Sequence, residues 1–451
     1  MRIQQFEDKN LSHYSYAILS ECEKKIILID PSRNPQQYYD FAKANDAEIT
    51  GIIETHPHAD FVSSHLEIYQ TNGASIYASK LVAASYPHIA FDDGQYIQVG
   101  KIKLLALNTP GHSPDSISIL LEHAGKQKAV FTGDTLFIGD CGRPDLREAA
   151  GKIQSSRQAL AGQMYHSLRN KLIPLNDDVV VYPAHGAGTL CGKSLSEANS
   201  STIGEEKKTN WSLQPQTEEE FIRELLHEQP FVPAYFPFDV ELNRKGVAAF
   251  TESVQAVLIG KQVLNKDDAD RLDKNLWIID IRNSEDYKHG HLPHSVNLME
   301  EGKFETWLGT IIGPNEKFYL AASDDRELKK AIERTASIGY ETQIAEAFVL
   351  KYEPLKEEKL NLDEFKKHKD DFTIVDVRNP SEVKQKKIFS NSLSFPLADL
   401  RSNLNDIPTN KPLMVHCAGG YRSAAASSMI KSQLKGQVQV FDLGEAIQQF
   451  I

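Results

Sequence analysis

An internal repeat in the C-terminal half restricts the fold of this 451-residue chain more than any other feature. LWIIDIRNSEDY (276–287) and FTIVDVRNPSEV (372–383) each read as a buried strand, an Asp-x-Arg turn and a helix start. Asp280 and Asp376 stand 96 positions apart, and so do Arg326 (AASDDRE) and Arg422 (CAGGYRS). Two coincident offsets imply a duplicated unit of about that length, and alternating strands and helices imply a parallel-sheet α/β layer in each copy.

Upstream the pattern differs. From Met1 to about Asn210, short apolar runs end in polar turns: KKIILID, ITGIIETH, KLLALNTPGH, KAVFTGD and DVVVYPAHG. These read as buried strands whose C-terminal ends carry functional residues, since loops of layered α/β proteins are where chemistry is placed. An acidic amphipathic helix and a Pro- and aromatic-rich connector follow, over about residues 213–245. A chain this long cannot share one core, and three domains are expected at 1–244, 245–354 and 355–451.

The formal charge of −12, without any block of Lys and Arg, argues against nucleic acid or an anionic membrane as partner. Small molecules are the expected ligands. The N-terminal MRIQQFEDKN lacks the apolar core of a signal peptide, and no apolar run approaches the roughly 18 residues of a membrane span, so a cytoplasmic protein is expected. Four scattered cysteines (Cys22, Cys141, Cys191, Cys417) are too few for a disulfide framework.

Thr55-His56-Pro57-His58-Ala59-Asp60 directly follows the strand GIIE, and three other strand ends supply matching groups: His112 (TPGHS), Asp134 (TGDTLF) and His185 (YPAHGAG). Imidazoles and carboxylates brought together at strand ends can converge on one ion, which makes this a candidate metal site. His65, five residues past Asp60, is expected on a helix leading away.

In this order the residues resemble the metallo-β-lactamase superfamily over residues 1 to about 210, which implies an αββα sandwich with the metal at one edge. Phe61 departs from the pattern, which continues Asp-His, and it leaves a second metal position with Asp60, the shared Asp134 and His185 alone. A dinuclear zinc hydrolase of the glyoxalase II type is the less favoured alternative. TPGHS, GDTLF and DCGRPDL look most like the persulfide dioxygenases of the ETHE1 type. That resemblance implies one Fe(II) per chain held by His56, His112 and Asp134, two imidazoles and a carboxylate on one face, with His58, Asp60 and His185 orienting ligands or water, or else serving as zinc ligands. Arg143 either anchors a substrate carboxylate or pairs with Asp140 or Asp145. Cys191, in GAGTLCGKS, either faces the metal pocket and takes part in sulfur transfer or is a small buried residue. Cys141 and Cys22 are expected to be inert.

Cys417-Ala-Gly-Gly-Tyr-Arg422 lies between the strand PLMVH and the helix AAASSMIKS. Glycines and a helix start turn backbone N–H groups inward, which makes an anion nest. The loop resembles the active loop of rhodanese sulfurtransferases, and the likeness extends through both repeats. Cys417 is expected to carry a persulfide, with Arg422, Gly419, Gly420 and Tyr421 around it, and four residues between Cys and Arg favour sulfur over phosphate. Aligned at 96 residues, Cys417 meets Ala321, and Gly419 and Gly420 meet Ser323 and Asp324, so the first copy is expected to be silent. His289, His291 and His294 (KHGHLPHS) are read as structural.

The expectation is a persulfide dioxygenase fused to an inactive and an active rhodanese domain, converting a thiol persulfide and dioxygen to sulfite and thiosulfate in sulfide detoxification, in a homo-oligomer.

Overall fold

The computed structural model describes residues 1–147, 156–193 and 195–451. It divides into two compact units, Met1–Ser253 with Ala336–Gly339, and Val254–Thr335 with Tyr340–Ile451.

The first unit is built on two six-stranded sheets. One runs in chain order through β1 (Arg2–Asp8), β2 (His13–Ser20), β3 (Lys25–Ile29), β4 (Glu48–Ile53), β5 (Ser75–Ala78) and β6 (Ile89–Ala90). The other runs through β7 (Tyr96–Val99), β8 (Ile102–Asn108), β9 (Ile117–His123), β10 (Lys126–Gly133), β11 (Val180–Pro183) and β12 (Ser201–Thr202).

Side-chain alternation gives each strand two destinations. Ile18 of β2, Ile27 and Ile29 of β3, Ile119 and Leu121 of β9, and Phe131 of β10 meet in one cluster between the sheets. Their neighbours Ala17, Leu19, Ile26 and Leu28 pack with Tyr38 and Phe41 of the helix Gln36–Ala44. On the far side Leu120 and Val130 pack with Ala161 and Met164 of the helix Arg157–Ser167 and with Phe221 of the helix Glu218–Leu226. The result is the four-layer αββα sandwich, and strands covered on both faces are apolar throughout.

Strand direction places the site. β3 and β4 are parallel, β10 and β11 are parallel, and β8 is antiparallel to β9, which is antiparallel to β10. The turns after β4, β8, β10 and β11 carry the metal-binding candidates. At the same edge β2 begins, and a His13–His185 bridge with Tyr14 N–H donating to Ala184 O (2.7 Å) ties the two sheets together.

The second unit holds two four-stranded, wholly parallel sheets. The first contains β13 (Trp277–Asp280), β14 (Ser295–Asn297), β15 (Phe318–Ala322) and β16 (Ile344–Val349), in the spatial order β14-β13-β15-β16. The second contains β17 (Thr373–Asp376), β18 (Leu393–Ser394), β19 (Leu413–His416) and β20 (Val440–Asp442), in the matching order β18-β17-β19-β20. In both copies the Asp-x-Arg turn closes on itself: Arg282 pairs with Asp280 at 2.7 Å and Arg378 with Asp376 at 2.6 Å.

The ladder corrects one detail of the repeat. Asp280 lies opposite Ala321, whereas Asp376 lies opposite His416. Ala322 therefore takes the thiol's strand position, where a uniform offset had put Ala321. The helices nevertheless start at Asp325 and Tyr421, so the loop of the first copy is one residue shorter.

Among the described residues no helix is long and apolar enough to cross a membrane.

Candidate metal centre and thiol loop

The loop after β4 is held from behind by Asp30, the residue that ends the run KKIILID. Its carboxylate accepts from Thr55 N–H (2.7 Å) and Thr55 Oγ1 (2.8 Å), and Thr55 Oγ1 lies 3.1 Å from His56 Nδ1. His112 Nδ1 lies 2.9 Å from Arg143 O and His185 Nδ1 lies 3.2 Å from Ser12 O. In all three imidazoles a partner engages Nδ1 and so turns Nε2 inward, the second layer of contacts that metal-ligating histidines use.

The inward atoms converge. Nε2 of His112 and His56 lie 3.5 and 3.9 Å from Asp134 Oδ2, and Nε2 of His185 lies 3.6 Å from Asp134 Oδ1 and 3.5 Å from Asp60 Oδ2. Among the described residues three sets bring ligand atoms within 4.8 Å of one another: His56, His112 and Asp134; His58, Asp60 and His185; and Asp134, His185 and Cys191. All seven residues are buried. Both Asp134 oxygens, Asp60 Oδ1, His185 Nε2 and both His58 nitrogens lack a hydrogen-bond partner. Buried polar atoms left this way are costly unless something binds them, and a cation is what this donor set suits.

Electrostatics agree with a shared charge. Burial opposes a charged Asp134, yet His185, His112 and His58 hold its carboxyl below the ordinary range. Burial likewise opposes a charged His58, but Asp30, 3.4 Å away, with Asp134 and Asp60, lifts it to about 9. Burial and the Asp60 and Asp134 carboxylates push the Cys191 thiol well up.

Close packing shapes the surroundings. A Cβ on Gly142 would fall 1.9 Å from Asp134 O, so only glycine lets this turn pass against the Asp134 backbone carbonyl. Phe61 lies against His13 (3.9 Å between ring centroids) and His58 (4.4 Å), filling the flank beside Asp60 with an apolar ring. Asn243 of the helix Phe236–Lys245 donates to His58 O (2.9 Å) and Phe61 O (2.7 Å), fastening the motif loop.

Of the two readings of Arg143 the pairing with Asp145 holds and the substrate role does not, and the place of Tyr421 needs correction. Arg143 does not offer its fork to a substrate: all five N–H groups are used, by Asp145 (2.7 and 2.6 Å) and by the carbonyls of Leu190, Phe231 and Pro230. Its part is to bind three loops together and to present the carbonyl that orients His112. Tyr421 does not face the thiol either, because its hydroxyl donates to Met299 O at 2.9 Å.

In the second loop Cys417 is buried and Gly420 N–H donates to its sulfur at 3.1 Å. Gly420 has φ +100, and a Cβ there would press on the Gly444–Glu445 backbone at 3.2 Å. Gly419 faces open space. Arg422 is held by Glu382 through two contacts of 2.5 and 2.8 Å. In the first copy Asp324 accepts from Arg326 and Glu327 N–H (2.9 and 2.8 Å), filling the helix start with its own carboxylate.

Residues 10–185 match the metallo-beta-lactamase superfamily. A crystal structure of a metallo-beta-lactamase from Staphylococcus aureus is 32% identical and covers 77% of this chain and 99% of that one, with a TM-score of 0.70. The bovine persulfide dioxygenase ETHE1 is 30% identical over 43% of this chain and 71% of its own length. The chain belongs to the metallo-beta-lactamase superfamily. Beyond the superfamily's sandwich, residues 262–346 and 361–450 match the rhodanese-like domain, so the chain joins that sandwich to two rhodanese-like domains. Hydroxyacylglutathione hydrolase GloC of Haemophilus influenzae stands equally near, 29% identical over 43% of this chain and 90% of its own length.

His13, Asp30, Asn243 and Glu382 escaped the sequence reading. Asp30 had a signal, since it ends an apolar strand as Asp134 nearly does. Glu382 had one too, three residues past Asn379 in a capping pattern. His13 and Asn243 had none, because their partners lie far away in the chain.

Proposed function

We propose that the chain is an iron-dependent persulfide dioxygenase coupled to a sulfurtransferase, with residues 1–244 as the dioxygenase part, 245–354 as a silent rhodanese-like domain and 355–451 as the active one. The reading is supported by one complete His56–His112–Asp134 set together with Phe61, an apolar residue beside His58 at the sequence position where the superfamily pattern continues with histidine. Bound by those three residues, Fe(II) supplies electron exchange with dioxygen and a place for a substrate sulfur. The net reaction takes one thiol persulfide, one dioxygen and one water to sulfite, free thiol and two protons. Thr55 and the Arg143 carbonyl keep His56 and His112 aimed, and Asn243 keeps the motif loop from opening. Cys191 puts a sulfur beside Asp134 and His185 and is the second thiol assigned to the chemistry.

At the other site the Cys417 sulfur attacks the outer sulfur of a persulfide. The S–S bond breaks, the carrier leaves as thiolate, and sulfane sulfur stays on Cys417. Sulfite then attacks that sulfur and departs as thiosulfate, returning the Cys417 thiolate.

A second reading is a hydroxyacylglutathione hydrolase-like zinc enzyme, favoured by the His58–Asp60–His185 set. Metal analysis and an oxygen electrode separate the two. One iron per chain with persulfide-dependent oxygen uptake, and loss of both in His112→Ala, support the dioxygenase; two tightly held zincs with thioester hydrolysis and no oxygen uptake reject it.

A further inference from the structure

The Cys417 loop is short of positive charge. Between Cys417 and Arg422 it contains only Ala418, Gly419, Gly420 and Tyr421. The guanidinium of Arg422 is taken by Glu382 in a two-point pair, with the Arg422 side chain 15% exposed and that of Glu382 34% exposed. Nearby, Arg378 pairs with Asp376 at 2.6 Å and Lys288 with Asp442 at 3.0 Å. The hydrogen bond that reaches the buried sulfur comes from the backbone, from Gly420 N–H at the start of the helix Tyr421–Leu434. A helix start contributes roughly half a positive charge, which suits one anionic sulfur and falls well short of a dianion.

We infer that Glu382 sets the charge preference of this loop: by cancelling Arg422 it makes the Cys417 site take sulfane sulfur from organic persulfides in preference to thiosulfate, and release thiosulfate readily once formed. This rests on the reading of Cys417 as the transfer thiol, and it gives sulfur flow a direction, from carrier persulfide to sulfite. Donor attack needs no co-reactant, because the same pair of electrons that forms the bond from Cys417 to the outer sulfur displaces the carrier thiolate. Glu382 acts here through Arg422 as a positioning residue. Its second contact, accepting from Asn379 N–H at 3.1 Å, is a helix cap that glutamine can also make.

Sulfur transfer to cyanide from thiosulfate and from the persulfide of 2-mercaptoethanol, whose only charge is on sulfur, tests the idea with the full-length protein. In the unaltered protein the KM for thiosulfate should exceed that for the persulfide by about tenfold or more and change little with ionic strength. Glu382→Gln should lower the thiosulfate KM about three- to tenfold, the size of a partly exposed charge interaction, and make it salt-dependent, with the persulfide KM shifting less than about twofold. An unchanged or raised thiosulfate KM in Glu382→Gln overturns the inference. So does a steep salt dependence in the unaltered protein, a result that does not depend on the variant folding. Cys417→Ser separates the two levels: transfer lost from both donors upholds the reading of Cys417, whereas retained transfer overturns that reading and the role of Glu382 together.

Discussion

The two rhodanese-like copies share an architecture and differ in one loop. Each has four parallel strands in the same order and a buried Asp-Arg pair at the end of its central strand, Asp280–Arg282 and Asp376–Arg378. After the next strand they diverge. The second copy places Cys417 there and leaves the helix start to it through Gly420; the first has Ala322 and caps the helix with Asp324. In the first copy the N–H groups of Arg326 and Glu327 at the helix start are already satisfied by a carboxylate. The copies teach that the turn ion pair serves the fold, and that reactivity depends on what the helix start is left to bind.

The largest expected effect is on activity. Cys417→Ser should reduce cyanide-accepting sulfur transfer by at least about a thousandfold, because a hydroxyl near pH 7 is not an ionised sulfur nucleophile. Adding Ala322→Cys in that background should restore nothing, and oxygen uptake should survive in both. Regained transfer would break the comparison by showing that a thiol alone suffices.

Stability comes next. Asp376→Asn should cost about 3–5 kcal/mol, since removing one partner leaves the buried Arg378 guanidinium uncompensated, and Asp280→Asn should cost less, because Arg282 also pairs with Glu353. Urea titration followed by hydrogen exchange in each copy would measure this, and a large loss in one with almost none in the other would show that the pairs do different jobs. The smallest effect is that of Asp324→Ala, which removes an exposed helix cap and should be read as faster hydrogen exchange at Arg326 and Glu327. A neutral result would mean that the helix start has another ligand.

Much of this protein was legible in order along the chain. Apolar runs closed by His or Asp announced strand ends with chemistry on them, and the Asp-x-Arg turns announced a duplication, because buried strands and tight turns leave local patterns. Cys417 was legible for the same reason: its glycines, strand and helix are adjacent in sequence. Partners across long distances were not. Arg143 looked equally fit for a substrate or a neighbour until the carbonyls of Leu190, Pro230 and Phe231 closed around it. Tyr421 looked like part of the thiol loop until its hydroxyl was found on Met299.

By itself, then, the sequence determined which side chains could bind a metal or carry sulfur, the layered α/β class and the repeat. The tertiary structure decided which donors are already spent. It also decided that Asp30 and Asn243 brace the metal loop and that one register step separates the copies. The reason is physical: a guanidinium or imidazole has a fixed number of hydrogen bonds to give, and only the folded chain shows who receives them.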